Sequence, residues 1–355
     1  MKILFVSLYD INYSRSSVIF NGLKYMKTKH SVYEVSSLSQ VSLFSKLRLI
    51  HQKNRITNPD FIFICSPSGI LVPIVRILTR QRIIFDCGWP LSDGITAQRK
   101  TSIFIKIKIF FIDFISIIMS NLVLVESNEQ KIRLQKFYRF TSNNLYISYT
   151  GFDETRTKEN EKKVIDSRVA SVLKSNKPLI FFRGSFTKES GLQSWLKIIS
   201  KTKYSSINFV IATNSDSVIK ESHPNITIFH ERLNDSIIFE LYKKCVLTVG
   251  QLGVGKRLKY TLPHKFFESA FFGKPYITKI WNPLLEICKK EHLVACENLA
   301  MFENTLDKIL DDPKVFLENG KGLKKVYLNK FSQEIIVENF ITLVSKHFYR
   351  ASRAI

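Results

Sequence analysis

The sequence predicts an α/β protein made of two doubly wound domains in tandem, each a parallel sheet covered by helices. Three observations carry this expectation. Short apolar runs alternate with longer amphipathic ones along nearly all of the 355 residues. The short runs are apolar throughout rather than at every second position, as strands buried on both faces are. A strongly charged stretch without an aromatic residue, 153–177, separates two such series and has the composition of a solvated connector.

The first series opens with the strand KILFVSLYD. Its apolar core, 3–6, is too short for a secretory signal, and no small-residue cleavage site follows. A helix with Gly22 inside it is expected over 16–28. A strand at 61–65 is bounded by Pro59-Asp60 and Ser66-Pro67, followed by a helix at 70–79 and a strand at 82–86. The longest apolar stretch, 103–119, is interrupted by Lys106, Lys108 and Asp113, which disfavours a membrane-spanning helix. At helical spacing Lys106, Asp113, Ser116 and Ser120 share one face and apolar residues cover the rest. A core-packed helix is the first expectation; an interfacial helix lying on a membrane is the alternative. Strand 122–125, helix 129–138 and strand 145–149 complete the series. The second series begins at Pro178, with strands at 179–183, 207–213, 226–229, 245–249 and 275–278, helices between them, and a last helix at 333–349. The expected division is a first domain at 1–152, the connector at 153–177, a second domain at 178–330, and a C-terminal helical segment at 331–355 that has the option of packing back on the first domain.

Composition narrows the partners. The chain is 45% hydrophobic, so it can bury a core. Lys and Arg total 53 against 30 Asp and Glu, a formal charge of +23. Such a charge suits nucleic acid, an anionic membrane surface or phosphorylated ligands. Residues 1–150 alone hold 20 Lys plus Arg against 8 Asp plus Glu. No zinc-finger spacing, RNP-like aromatic motif or basic heptad helix is present, so nucleic acid is not expected, although a basic nucleic-acid-binding protein remains the rival from another class. The five Cys residues are odd in number, spread out and without a CxxC pair. They read as buried thiols of a reducing cytosol rather than a disulfide framework or zinc ribbon.

Two motifs bear on chemistry. Residues 250–256, GQLGVGK, match GxxxxGK after an expected strand. A phosphate-cradling P-loop needs Ser or Thr next and a helix starting there; this chain has Arg257, and Pro263 arrives within two turns. A Gly-rich loop at a strand end, with Gly255 lining a ligand cleft, is the expected reading. The segment LPHKFFESAFFGKPYIT, 262–278, is more informative. Pro263 suits the start of a short helix and Gly273 its end. Lys265 and Glu268, three apart, share a face, either as an ordinary surface ion pair or as part of a site. A helix N-terminus with cations nearby favours phosphate, and a carboxylate there can accept from ribose hydroxyls.

This segment resembles the donor-binding segment of GT-B glycosyltransferases, especially retaining family 4, in which a P-x-K-x-x-E stretch ending in G-K-P holds the nucleotide sugar. The resemblance implies two tandem Rossmann-like domains facing a central cleft, Glu268 on the ribose and Lys265 near the diphosphate. Weaker pieces keep the same order: 179–192 resembles the opening of the family's second domain, 149–153 (YTGFD) the close of its first, and 122–128 a first-domain strand ending in Ser. There are departures. Tyr260 stands eight positions before Glu268, where many members carry another Glu. Ser185 and Ser190 stand where Arg and Lys are expected, so Arg183 and Lys188, two positions earlier, are the candidate substitutes, with Gly184 and Ser185 in the same loop. His264, at the helix start, is a candidate donor contact or a capping residue. The family's first-domain catalytic His has no counterpart after Asp86, and no catalytic base is assigned.

The implied activity is transfer of a sugar from a nucleotide-diphosphate donor to a saccharide or lipid-linked saccharide acceptor. Fixed cations and helix amides would stabilise the leaving diphosphate, with no metal and no other cofactor. Ser14 and Arg15, after the first strand, are the acceptor-side candidates, Arg15 meeting an acceptor phosphate or solvent. The resemblance also implies surface polysaccharide assembly at the inner face of the membrane, the protein being cytoplasmic and peripheral, and the basic first half permits it. A sugar-nucleotide 2-epimerase and an inactive homologue are the alternatives that keep the architecture.

Overall fold

The computed structural model describes residues 1–12, 15–25, 30–98, 102–137, 144–157, 167–213, 223–231 and 233–349. They fold as two compact units, each built on a six-stranded sheet in which every strand pairing is parallel. Unit 1 comprises Met1–Asp153, Lys259–Leu262 and Phe331–Ile355; unit 2 comprises Glu154–Leu258 and Pro263–Lys330. The short piece 259–262, counted with the second domain from sequence, therefore belongs to the first. Inside unit 1 the Ser127 hydroxyl donates to the Tyr260 carbonyl, the Leu262 amide donates to Glu126 Oε1 at 3.2 Å, and Arg133 lies 4.5 Å over the Tyr260 ring.

Unit 1 runs β1 (Lys2–Val6), α1 (Ser16–Tyr25), β2 (Ser31–Val35), α2 (Leu43–Thr57), β3 (Phe61–Ile64), α3 (Leu71–Leu78), β4 (Arg82–Gly88), α4 (Leu91–Gln98), α5 (Ile103–Met119), β5 (Leu122–Val125), α6 (Asn128–Phe137) and β6 (Leu145–Ile147). The strand order is β2-β1-β3-β4-β5-β6. The four central strands are buried along nearly their whole length, which is why they read as apolar runs. One face packs against α2, α3, α5 and α6 through Ile50, Val75, Ile117 and Leu134. The other carries Phe5, Phe61 and Phe63 and receives the last helix, α14 (Gln333–Tyr349), where Phe340 and Phe348 meet Phe63 and Phe61 at ring-centroid distances of 5.7 and 4.9 Å. At Gly22 α1 and α14 come close: a Cβ there would stand 2.4 Å from Val337 Cγ2.

The helix α5 packs on the core as expected, through Ile109 and Ile117, but it turns Asp113 and Ser116 inward beside them and leaves most of its apolar residues outside. Asp113 accepts from the Leu91 and Ser92 amides at 3.0 and 2.9 Å, closing the start of α4, and Ser116 donates to the Gly69 carbonyl at 2.8 Å. Ile109 and Ile117 are buried, but Ile103, Phe104, Ile105, Ile107, Phe110, Phe111, Ile115 and Ile118 are exposed. Periodicity told which residues share a face but not which face turns inward. Among the described residues no helix is long and apolar enough to cross a membrane.

Unit 2 contains α7 (Ser167–Lys174), β7 (Leu179–Arg183), α8 (Leu192–Ile199), β8 (Asn208–Ala212), β9 (Ile226–Phe229), α9 (Asp235–Lys244), β10 (Leu247–Val249), α10 (His264–Phe272), β11 (Tyr276–Thr278), α11 (Asn282–Ile287), β12 (Val294–Ala295), α12 (Leu299–Asp311) and α13 (Leu317–Lys330). Its strand order is β12-β11-β10-β7-β8-β9. Trp195, Phe182, Phe209 and Phe302 are fully buried in one core layer between the sheet and α8 with α12. Helix α10 is preceded by Pro263 in an extended conformation and closed by Gly273 at φ +65°, whose amide donates back into the last turn. All five cysteines are free and buried.

Candidate functional site

In a doubly wound sheet, side chains placed beyond the carboxyl ends of the strands are the ones free to meet a ligand. In unit 2, Arg183 is the last residue of β7, and its guanidinium pairs with the Glu268 carboxylate on α10. Glu268 is only 5% exposed. Its second oxygen accepts from the Tyr242 hydroxyl of α9 at 2.6 Å, so three elements converge on one carboxylate. Tyr242 is held by stacking on Phe272, rings nearly parallel at a centroid distance of 5.1 Å. Each carboxylate oxygen keeps a second acceptor direction.

Lys265, one turn before Glu268, places its ammonium 4.0 Å from the centre of the Phe182 ring. Gly184 follows Arg183 at φ +151°, and a Cβ there would stand 3.0 Å from Lys265 Nζ. Glycine therefore gives the lysine its space. No side chain caps the N-terminus of α10, so its first-turn amides and partial positive charge lie beside this lysine.

The electrostatics are uneven. Burial alone would raise the Glu268 carboxyl, but Arg183, with His264, the Tyr242 hydrogen bond and Arg156, pulls it below the usual range. Glu268 in turn raises the Arg183 guanidinium. Burial pushes Lys265 down to about 7, Arg183 adding to the fall while Glu268 and Glu189 oppose it. An unfolded lysine titrates near 10.5. Between those values the unfolded chain holds a proton that the folded chain lacks, so unfolding free energy rises with pH across that window. Lys265→Met should flatten the rise, measured by chemical denaturation at pH 7 and at about pH 9.5; an undiminished rise would mean that Lys265 keeps its proton.

The remaining sequence candidates are distributed differently. Ser185 and Lys188 are exposed. Ser190, at the position where the family's Lys is expected, is a buried turn residue whose hydroxyl donates to the Thr187 carbonyl at 2.7 Å. Lys188 lines a cavity of about 600 Å³ with Gly191, Gly253, Lys279 and Glu297, apart from the Arg183–Glu268 cluster. The loop 250–256 is irregular and leads only into a single 3-10 turn, Arg257–Lys259, not the α-helix a P-loop needs. It is fastened to the loop after β7: the Gly253 and Val254 amides donate to the Glu189 and Lys188 carbonyls at 3.0 and 3.1 Å, and Arg257 Nη2 lies 2.5 Å from Glu189 Oε2. Gly255 serves this fastening, since a Cβ there would stand 2.5 Å from Glu189 Cγ. Sequence reasoning missed Tyr242, Glu189 and Arg257, whose roles depend on partners more than twenty residues away.

In unit 1, Ser14 lies outside the described residues. Arg15 is not solvent-facing. It is 4% exposed, and its Nε donates to Asp86 Oδ1 at 2.6 Å, its Nη1 to Thr150 Oγ1 at 3.3 Å. Ser16 donates to the second Asp86 oxygen at 3.2 Å. Asp86 is fully buried, and burial raises its carboxyl despite Arg15. One guanidinium nitrogen is thus spent on a buried carboxylate and one on Thr150, while Nη2 is buried with no hydrogen-bond partner among the described residues.

Two tandem units of this kind, each a parallel six-stranded sheet covered by helices, make the GT-B architecture. Solved structures agree over nearly the whole chain. HepE of Anabaena in complex with UDP is 12% identical and matches at a TM-score of 0.68, covering 98% of this chain and 100% of that one. Sucrose-phosphate synthase of Thermosynechococcus elongatus is 13% identical, with a TM-score of 0.70 and coverage of 99% and 100%. The UDP-GlcNAc 2-epimerase of Neisseria meningitidis bound to UDP-GlcNAc is 11% identical, with a TM-score of 0.59 and coverage of 96% and 100%. No family model and no curated protein matches the sequence. At these identities the likeness establishes the fold.

Proposed function

We propose that the protein is a glycosyltransferase that moves a sugar from a nucleotide-diphosphate donor to a saccharide acceptor. In the fuller form of this reading, the acceptor is lipid-linked, the setting is surface polysaccharide assembly, and the protein works from the cytoplasmic face of an anionic membrane. The observation that carries the proposal is the convergence of Arg183, Lys265 and Glu268 at the end of β7 and the start of α10.

The chemistry follows from charge. Breaking the sugar–phosphate bond leaves a nucleoside diphosphate, whose growing negative charge is stabilised by Lys265 and the α10 amides without a resident metal. Glu268, held ionised by Arg183 and Tyr242, accepts from ribose hydroxyls through its remaining lone pairs. Retention of anomeric configuration is part of the proposal on family resemblance. A diphosphate brought against Lys265 would draw a proton onto it, so donor affinity should fall as pH rises above about 7.

Thermal unfolding with UDP-, GDP- and dTDP-sugars tests the proposal, UDP-sugars first because HepE and the 2-epimerase were solved with UDP and UDP-GlcNAc. Donor at 100 times its dissociation constant should add about 2.7 kcal/mol. Glu268→Ala should remove most of that shift. No shift with any nucleotide sugar would sink the reading. Product analysis then separates transfer, which releases nucleoside diphosphate only with acceptor present, from 2-epimerisation of the donor, a second reading that the epimerase-like fold keeps alive.

A further inference from the structure

The face of unit 1 made by α2, α3 and α5 is built the wrong way round for contact with water. On α5 the polar side chains are spent inward, Asp113 on the start of α4 and Ser116 on Gly69. Outward it shows Phe104, 80% exposed, with Ile107, Phe111 and Ile118. Helix α3 packs against α5 on one side and α2 on the other, so the three outer surfaces are continuous. Ile77 of α3 is 82% exposed, and Phe44 of α2 is 76% exposed.

The charges on this face have one sign. Lys108 of α5 and Arg48 and Arg55 of α2 are exposed on it. The three helices hold a single acidic residue between them, the buried Asp113. A broad apolar patch on a soluble surface marks a place of contact, and an apolar patch studded with cations alone complements the boundary of an anionic bilayer. There apolar side chains reach the acyl region and cations meet lipid phosphates. A second copy of this chain would set like charges against like charges across a two-fold axis. A duplex nucleic acid would meet the cations with its phosphates but bury none of the Ile side chains.

We propose that the α2–α3–α5 face is a lipid-docking surface, with α5 lying flat in the headgroup region of an anionic membrane and its Phe104 and Phe111 side chains inserted. This gives the membrane part of the proposed function a definite surface. It rests on that part of the reading and is independent of the donor chemistry.

The test uses the full chain and sedimentation with vesicles of equal parts phosphatidylglycerol and phosphatidylcholine, with pure phosphatidylcholine as control. The protein should pellet with the anionic vesicles, and less so as salt is raised. Phe104→Ser combined with Phe111→Ser should weaken vesicle binding about tenfold or more, and Arg48→Glu combined with Lys108→Glu should do the same. Because these side chains are exposed, both variants should keep the wild-type unfolding midpoint and the donor-induced thermal shift. The inference is overturned if the wild type ignores anionic vesicles. It is equally overturned if the Phe variant binds them undiminished, or if that variant only converts a dimer to a monomer. A donor shift that survives in any of these cases leaves the catalytic reading standing. Vesicle binding lost in the Phe variant, in a protein that answers to no nucleotide sugar, upholds the docking surface and removes the catalytic reading instead.

Discussion

Arg15→Met should cost about 3–5 kcal/mol of unfolding free energy, the usual result of removing one partner from a buried ion pair. Arg15 is buried, Asp86 is fully buried, and the two are 2.6 Å apart. Without the guanidinium, Asp86 keeps only the Ser16 hydroxyl and nearby backbone for support. The deficit should depend on pH, with a sign fixed by the carboxyl. Burial already raises Asp86 above its ordinary value, and losing Arg15 raises it further. A carboxyl raised in the folded state costs stability above its unfolded value, near 3.9. The variant should therefore be closest to wild type in mild acid and fall away as pH rises. Arg15→Met combined with Asp86→Asn should recover most of the loss, because the uncompensated charge is gone. Urea unfolding of the two single variants and the double variant measures this cycle. A loss under about 1 kcal/mol, unchanged with pH, would mean that the pair carries little of the stability of unit 1.

Glu268→Gln should weaken donor binding by about 1.5–3 kcal/mol, roughly 10- to 150-fold in dissociation constant, the worth of a hydrogen bond to a charged group. The substitution keeps shape and volume but loses the charge that Arg183 neutralises. It also presents an NH2 where one of the present donors, Arg183 or Tyr242, now lies. Ser185→Ala, at an exposed position in the same loop, should leave donor affinity nearly unchanged. Titration calorimetry with the donor found in the thermal screen reads both. Equal affinity of Glu268→Gln and wild type would assign the carboxylate to scaffolding alone.

The strands were the most legible part of the fold. The segments 179–183 and 122–125 are visible as apolar runs because parallel strands buried on both faces tolerate little else. The edge strand Ser31–Val35 escaped notice because its exposed side lets Ser31 and Glu34 break the run. At the site, the spacing of Lys265 and Glu268 was readable within one helix. The partner of Glu268 was not: Arg183 precedes it by 85 residues and Tyr242 by 26, and nothing local marks either as its neighbour. The orientation of the 103–119 helix was illegible for the same reason. Asp113 points inward because the α4 amides wait there, and only tertiary structure supplies them. Arg15 teaches a related lesson. An arginine after a first strand looks like a ligand contact until a buried aspartate 71 residues later claims it.

The four residues Lys259–Leu262 carry a practical consequence. The polypeptide changes unit after Asp153, after Leu258, after Leu262 and after Lys330, so no single cut yields either half intact. A fragment excised as 154–330 would drag along Tyr260 and Leu262 stripped of Arg133 and Glu126, immediately upstream of Pro263 and the start of α10. Dissecting this enzyme candidate into lobes would thus unmoor the very stretch of backbone that leads into the Arg183–Lys265–Glu268 cluster, and a silent isolated lobe would say nothing against the activity of the whole.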